Sequence, residues 1–141
     1  MITGADLVTA ARSWVGVKYR HQGRNRNGVD CIGLPIAVCQ EAGLLVGAEP
    51  PANYTIVPNT RTFLANFEAF GCTRVPAREI VDGMLLVFSQ EGYPCHVGLR
   101  STMHGRSAVV HAHMGPRKVI EEVLRPESHL MAAFRIPGVT Y

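Results

Sequence analysis

The stretch GVDCIGLPIAVCQEAGL, residues 28–44, puts a cysteine directly after an aspartate where a polar run turns apolar. Upstream lies RHQGRNRNGVD (20–30), which reads as loop because Gly and Asn recur without apolar periodicity. Downstream, Ile32, Pro35, Ile36 and Cys39 fall at i, i+3, i+4 and i+7 and Gly43 follows as a terminator, so the spacing predicts a helix from about Cys31 to Ala42. Pro35 is awkward there, since it removes a backbone donor close to the first turn. Cys31 thus stands at a helix start, not in mid-element. In that position the helix dipole and unpaired N–H groups favour a thiolate, and the same N–H groups can hold an oxyanion.

The chain around it has 141 residues, enough for a single domain over 1–141 that buries roughly two-thirds of its unfolded surface without metal or disulfide. Hydrophobic residues make up 47% and charged residues 18%, and no apolar run approaches the ~20 residues of a membrane span, so a soluble globular protein is expected. The N-terminal MITGADLVTAARSWVG has no basic region followed by an unbroken apolar stretch, which points to synthesis in the cytoplasm without a secretory signal. The net charge of +3 comes from scattered Lys and Arg with no basic face, so nucleic acid is not an expected partner. Cys31, Cys39, Cys72 and Cys95 have no CxxC spacing and read as reduced thiols. On one helix, Cys31 and Cys39 would stand about 12 Å apart along the axis, too far to bridge. Cys39, Cys72 and Cys95 are expected to pack in the core.

Elsewhere the punctuation is clear. Thr3 caps, Asp6 follows three residues later, Leu7, Ala10, Ala11 and Trp14 form a stripe and Gly16 closes, so residues 4–15 read as helix. After the proline-rich GAEPPANYTIVPN (47–59), TRTFLANFEAFG (60–71) reads as a short helix of about ten residues with Phe63, Leu64, Phe67 and Phe70 on one face. The texture then becomes β: GMLLVFS, CHVGLRS, SAVVHAHM, KVIEEVL and MAAFRIP are short runs split by turn signals. Helices first and an antiparallel sheet of about five strands afterwards make an α+β fold.

A nucleophilic thiol needs a base. Strand alternation puts His111 and His113 on one face of their run, and a neighbouring strand could set His96 beside His111. A cysteine with two histidines, one as base and one as orienter, matches the logic of cysteine catalysis. His113 is the alternative third member. A metal pair formed by His111 and His113 with Cys95 or Cys31 is disfavoured, because zinc ligands usually come in closer pairs; no metal and no cofactor is expected. His21, His104 and His129 read as solvated loop residues, and Arg24 and Arg26 as exposed cations that could meet a substrate carboxylate.

Taken in order, YRHQGRNRNGVDCIGL, DGMLLVF, HVGLRS and VVHAHM resemble the NlpC-type cell-wall peptidases, a papain-like cysteine peptidase family. In particular they look like the branch found in bacteriophage tails and gene transfer agents, where YRHQ…DCLGL and a closing AAFRFP-like strand are typical. The resemblance covers almost the whole chain. It implies a papain-like NlpC-type fold with the cysteine helix packed on the sheet, Cys31 as nucleophile, His96 as base and His111 as the polar third member. It also implies that Tyr19, twelve residues before Cys31 (31 − 19 = 12), holds its hydroxyl near the thiol, and that Asp30 and Ile32 stand on the substrate side. Ile32 replaces the serine usual in members that cut wall peptides, and the gap from His96 to His111 (111 − 96 = 15) is slightly long and suggests a longer hairpin through TMHGRS. The implied reaction is hydrolysis of an amide bond in peptidoglycan stem peptides, that between D-glutamate and diaminopimelate. The implied partners are tail hub and tail-tip proteins that deliver the enzyme to the periplasmic wall. The rival expectation is a structural tail-tip subunit that keeps the fold and little chemistry.

Overall fold

Thr3 starts the first helix by a reciprocal pair of bonds: its Oγ1 accepts from the Asp6 N–H at 3.1 Å, and Asp6 Oδ2 accepts from the Thr3 N–H at 2.8 Å. In the computed structural model, which describes residues 1–44, 60–90 and 93–141, this capping box joins β1 (Ile2–Thr3) to α1 (Gly4–Arg12). The helix ends three residues earlier than its stripe predicts. Gly16, at φ +96°, gives its N–H to the Val119 carbonyl at 2.9 Å, so the chain leaves helical geometry to tie onto the sheet while Trp14 stays buried.

The hairpin of β2 (Arg24–Asn25) and β3 (Gly28–Val29) leads into α2 (Gly33–Glu41), which begins two residues after the expected Cys31. Proline is the reason. Leu34 donates to the Asp30 carbonyl at 3.0 Å, Pro35 has no N–H to give Cys31, and Ile36 reaches Ile32 only at 3.4 Å, so Cys31 and Ile32 form a turn ahead of the regular helix. Asp30 Oδ1 accepts from the Gly33 N–H at 2.7 Å, fixing that turn as a capping residue does. Gly33 itself lies against the Gly23 backbone, where a Cβ would strike the Gly23 carbonyl oxygen.

The third helix, α3 (Thr60–Ala69), has the length its sequence predicts, and its Phe67 ring lies 5.4 Å from that of Phe134. The proline-rich connection before it lies outside the described residues. The sheet then assembles from β4 (Thr73–Val75), β5 (Leu85–Gln90), β6 (Tyr93–Met103), β7 (Arg106–His113), β8 (Lys118–Val123) and β9 (Leu130–Arg135), in the order β4-β9-β5-β6-β7-β8, antiparallel throughout. It has six strands; the one the sequence did not signal, β4, is only three residues long. The last strand, β10 (Val139–Thr140), pairs parallel with β1. The β6–β7 hairpin turns on two residues, His104 and Gly105, both at positive φ (50° and 73°), so the extra length expected in the turn lies in the strands.

Alternation divides the sheet. Val97, Leu99, Val110, Ala112, Val119 and Phe134 face the helices and join Leu7, Trp14, Leu34 and Val38 in the main core. Leu86, Phe88, Val109 and Ala133 face the other way and form a second cluster with Met84 and Val75. Among the described residues no helix is long and apolar enough to cross a membrane.

Gly33→Ala is expected to cost about 1–3 kcal/mol, because the added methyl meets backbone that cannot swing aside. Urea denaturation measures this against Gln40→Ala, an exposed helix position expected to change stability by about 0.5 kcal/mol or less.

Candidate active site

The β6–β7 register aligns Leu99 with Val110, and continuing it by one residue sets Gly98 across from His111. A side chain at Gly98 would collide with Val109 and His111, so the missing Cβ is what lets the His111 ring lean diagonally over β6. There His111 Nδ1 stands 2.6 Å from His96 Nε2. On the far side, His111 Nε2 lies 3.0 Å from Oε1 of Glu122 on β8. Three strands thus contribute one line of polar groups: His96, His111, Glu122.

His96 shares its hydrogen bond with His111 and not with His113. The His113 ring centre is 6.4 Å from that of His96 and 5.1 Å from that of His111, and its Nδ1 accepts the Gly115 N–H at 2.9 Å. Burial, reinforced by the neighbouring His111 and His113, pushes His96 down to about 3, and burial with His113 pushes His111 down to about 4. Both imidazoles are therefore neutral at physiological pH, as a proton acceptor must be. A cleft of about 330 Å³ opens over these rings, lined also by Phe88, Glu122, Arg125 and Glu127.

The thiol belongs to the turn before α2. Cys31 is partly exposed at the edge of the main core, and Tyr19, bridged to Val29, is its electrostatic neighbour. Burial first, then the charge of Cys31 and Asp30, pushes the Tyr19 phenol up to about 12, so it keeps its proton. The Tyr19 N–H donates to the Arg117 carbonyl at 2.9 Å, just before the start of β8. Asp30 is only 2% exposed, with Oδ2 accepting the Gln22 N–H at 2.7 Å and Oδ1 that of Gly33. These two bonds tie Asp30 to the backbone of the cysteine turn. Ile32 packs partly buried against the main core.

Other cysteines differ in kind. Cys39 is buried and its thiol is pushed up to about 12, chiefly by burial and then by Cys72; burial pushes Cys72 up to about 11. Neither supplies thiolate at neutral pH. The side chain of Cys95 lies outside the described residues. Arg26 is exposed as expected but tied down, donating to Ser13, pairing with Glu41 at 3.1 Å and lying 4.2 Å over the Trp14 ring. His104 and His129 are exposed, each in the left-handed region, and His21 stands 3.9 Å from Asp30. Among the described residues no cluster of His, Cys, Asp or Glu has the arrangement of a metal site.

The model of the NlpC/P60 family matches residues 16–131, the span that contains the cysteine turn, both histidines and Glu122. The chain belongs to the NlpC/P60 family. Solved structures agree on the fold. The NlpC/P60 domain of the peptidoglycan hydrolase SagA superposes with a TM-score of 0.68 at 20% identity, covering 96% of this chain and 100% of that one. An NlpC/P60 family protein from Bacillus cereus gives 0.67 at 19% identity, covering 94% of this chain and 40% of that one. The peptidoglycan hydrolase RipB from Mycobacterium tuberculosis gives 0.59 at 22% identity, covering 94% and 64%. This NlpC/P60 domain therefore spans less than two-thirds of the length of the latter two. No curated protein matches the chain. Within the NlpC/P60 sequence, Glu122 is the contact the sequence reading did not find; its one available signal was strand alternation in KVIEEV, which puts Glu122 on the face opposite Val119.

The depressed histidines make a signed prediction. A group whose pKa is lowered by folding stabilises the fold above its unfolded value, ~6.5, and loses that contribution as pH falls toward its folded value. Stability is expected to drop steadily between about pH 6.5 and 3 as His96 and His111 are forced to take protons. Urea midpoints across that range measure it, and His111→Gln should flatten the drop where His104→Ala does not.

Proposed function

We propose that this NlpC/P60 domain is a cysteine peptidase that hydrolyses amide bonds of peptidoglycan stem peptides. The observation that carries the reading is the His96–His111–Glu122 line, in which two histidines held neutral by burial are joined by one short hydrogen bond and backed by a carboxylate. In the proposed reaction His96 Nδ1 takes the proton of Cys31 Sγ, and the thiolate attacks the amide carbonyl. The Cys31 N–H and the protonated Tyr19 hydroxyl donate to the oxyanion. Collapse breaks the C–N bond, His96 returns the proton to the departing amine, and a thioester remains. Water, deprotonated by His96, then attacks the thioester, releasing the carboxylic acid and restoring the thiol. This chemistry uses the chain's own groups and no cofactor.

The matched family and the peptidoglycan hydrolases among the structural neighbours support the substrate class. The D-glutamyl-diaminopimelate bond is the proposed scissile one. We propose further that the domain works as a component of a phage or phage-like tail tip, brought to the periplasmic wall with hub and tail-tip proteins as its partners. The motifs YRHQ…DCIGL and MAAFRIP support this through their likeness to the tail branch.

Incubation with purified sacculi, followed by mass spectrometry of released muropeptides, tests the reading. Cys31→Ala is expected to abolish release while the fold persists, and unchanged release would discard the cysteine mechanism. Cys39→Ala is expected to cost about 1 kcal/mol of stability and no activity. His96→Ala should lose nearly as much rate as Cys31→Ala, whereas His111→Gln should keep on the order of a hundredth to a tenth, since an amide can partly orient the base.

A further inference from the structure

We propose that Glu122 is a positioning residue that selects the tautomers of both histidines and thereby decides which nitrogen of His96 is the base. This rests on the reading of His96 as the proton acceptor for Cys31.

The argument is one of donors and acceptors. Two neutral imidazoles joined by a single hydrogen bond, His96 Nε2 to His111 Nδ1 at 2.6 Å, can share it in two ways. Either His96 Nε2–H donates and His96 Nδ1 holds a bare lone pair, or His111 Nδ1–H donates and the His96 proton moves to Nδ1. Only the first arrangement leaves a base on Nδ1. The pair alone has no reason to prefer it.

Glu122 breaks the tie. An ionised carboxylate accepts hydrogen bonds and cannot donate them, so the His111 nitrogen 3.0 Å away, Nε2, must carry the proton. Neutral His111 then has a bare Nδ1, His96 Nε2 must be N–H, and His96 Nδ1 is left as acceptor. His111 is 5% exposed, so water does not offer its ring a competing set of partners. Its other ring neighbour, His113, is engaged with the Gly115 N–H and makes no such demand. Adjacent Glu121 cannot substitute, because strand alternation turns it to the helix face, where it pairs with Arg12 at 2.9 Å.

The test is to read the tautomers directly. Protein labelled with ¹⁵N-histidine gives ring-nitrogen shifts that separate protonated from bare nitrogens, and steady-state hydrolysis of a soluble stem peptide gives kcat and KM. The wild type should show Nε2–H on both His96 and His111. Glu122→Gln, which retains an acceptor oxygen, should keep that pattern and a kcat within about threefold. Glu122→Lys, which can only donate, should push the His111 proton to Nδ1 and the His96 proton to Nδ1 with it. It should cut kcat by about tenfold or more with KM within about twofold. The side chain of Glu122 is 39% exposed, so both replacements can be accommodated. A wild-type His111 protonated on Nδ1, or a Glu122→Lys protein that retains Nε2–H on both rings, overturns the proposal whatever the activity. Tautomers that switch as expected with kcat unaltered would uphold the role of Glu122 and overturn His96 as the base.

Discussion

The pairing of β6 against β7 is the constraint on which the site depends. It brings residues fifteen apart in the chain (111 − 96 = 15) within a 2.6 Å hydrogen bond, and it can do so only because position 98 carries no side chain. A hairpin slipped by one residue would turn His96 and His111 into the Val97–Val110 face and expose the main core. The core and the site therefore fix the register together: Val97, Leu99, Val110 and Ala112 bury toward the helices while the alternate positions carry the chemistry.

Burial sets the protonation states that the proposed chemistry needs. Burial holds His96 and His111 neutral on the sheet and, at a separate place, raises the Tyr19 phenol beside the cysteine turn. It also separates the thiols. Cys39 is fixed inside the core as an inert side chain, while Cys31 lies on a turn that Pro35 prevents from becoming regular helix and that Asp30 and Gly33 hold in place.

The two glutamates of β8 show how one strand serves fold and site. Glu121 faces α1 and ties Arg12 to the sheet, with the Arg12 guanidinium also reaching the Thr102 carbonyl at 2.9 Å. Glu122, one residue on, faces the histidines. The distinction is purely geometric, a consequence of the two-residue period of a strand.

By itself the sequence determined what local physics decides. Thr3 and Asp6 marked the first helix start, the Phe67 stripe marked the third helix, and period-two apolar runs marked the long strands. The ordered motifs around Cys31, His96 and His111 carried the family. Tertiary structure alone decided where α1 gives up its last turn to Val119, that a three-residue edge strand completes the sheet, that Asp30 is buried under the cysteine turn, and that Glu122 meets His111. Each of these depends on a partner distant in sequence, and neither periodicity nor propensity specifies which strand lies beside which, or which of two adjacent carboxylates the register will turn toward an imidazole.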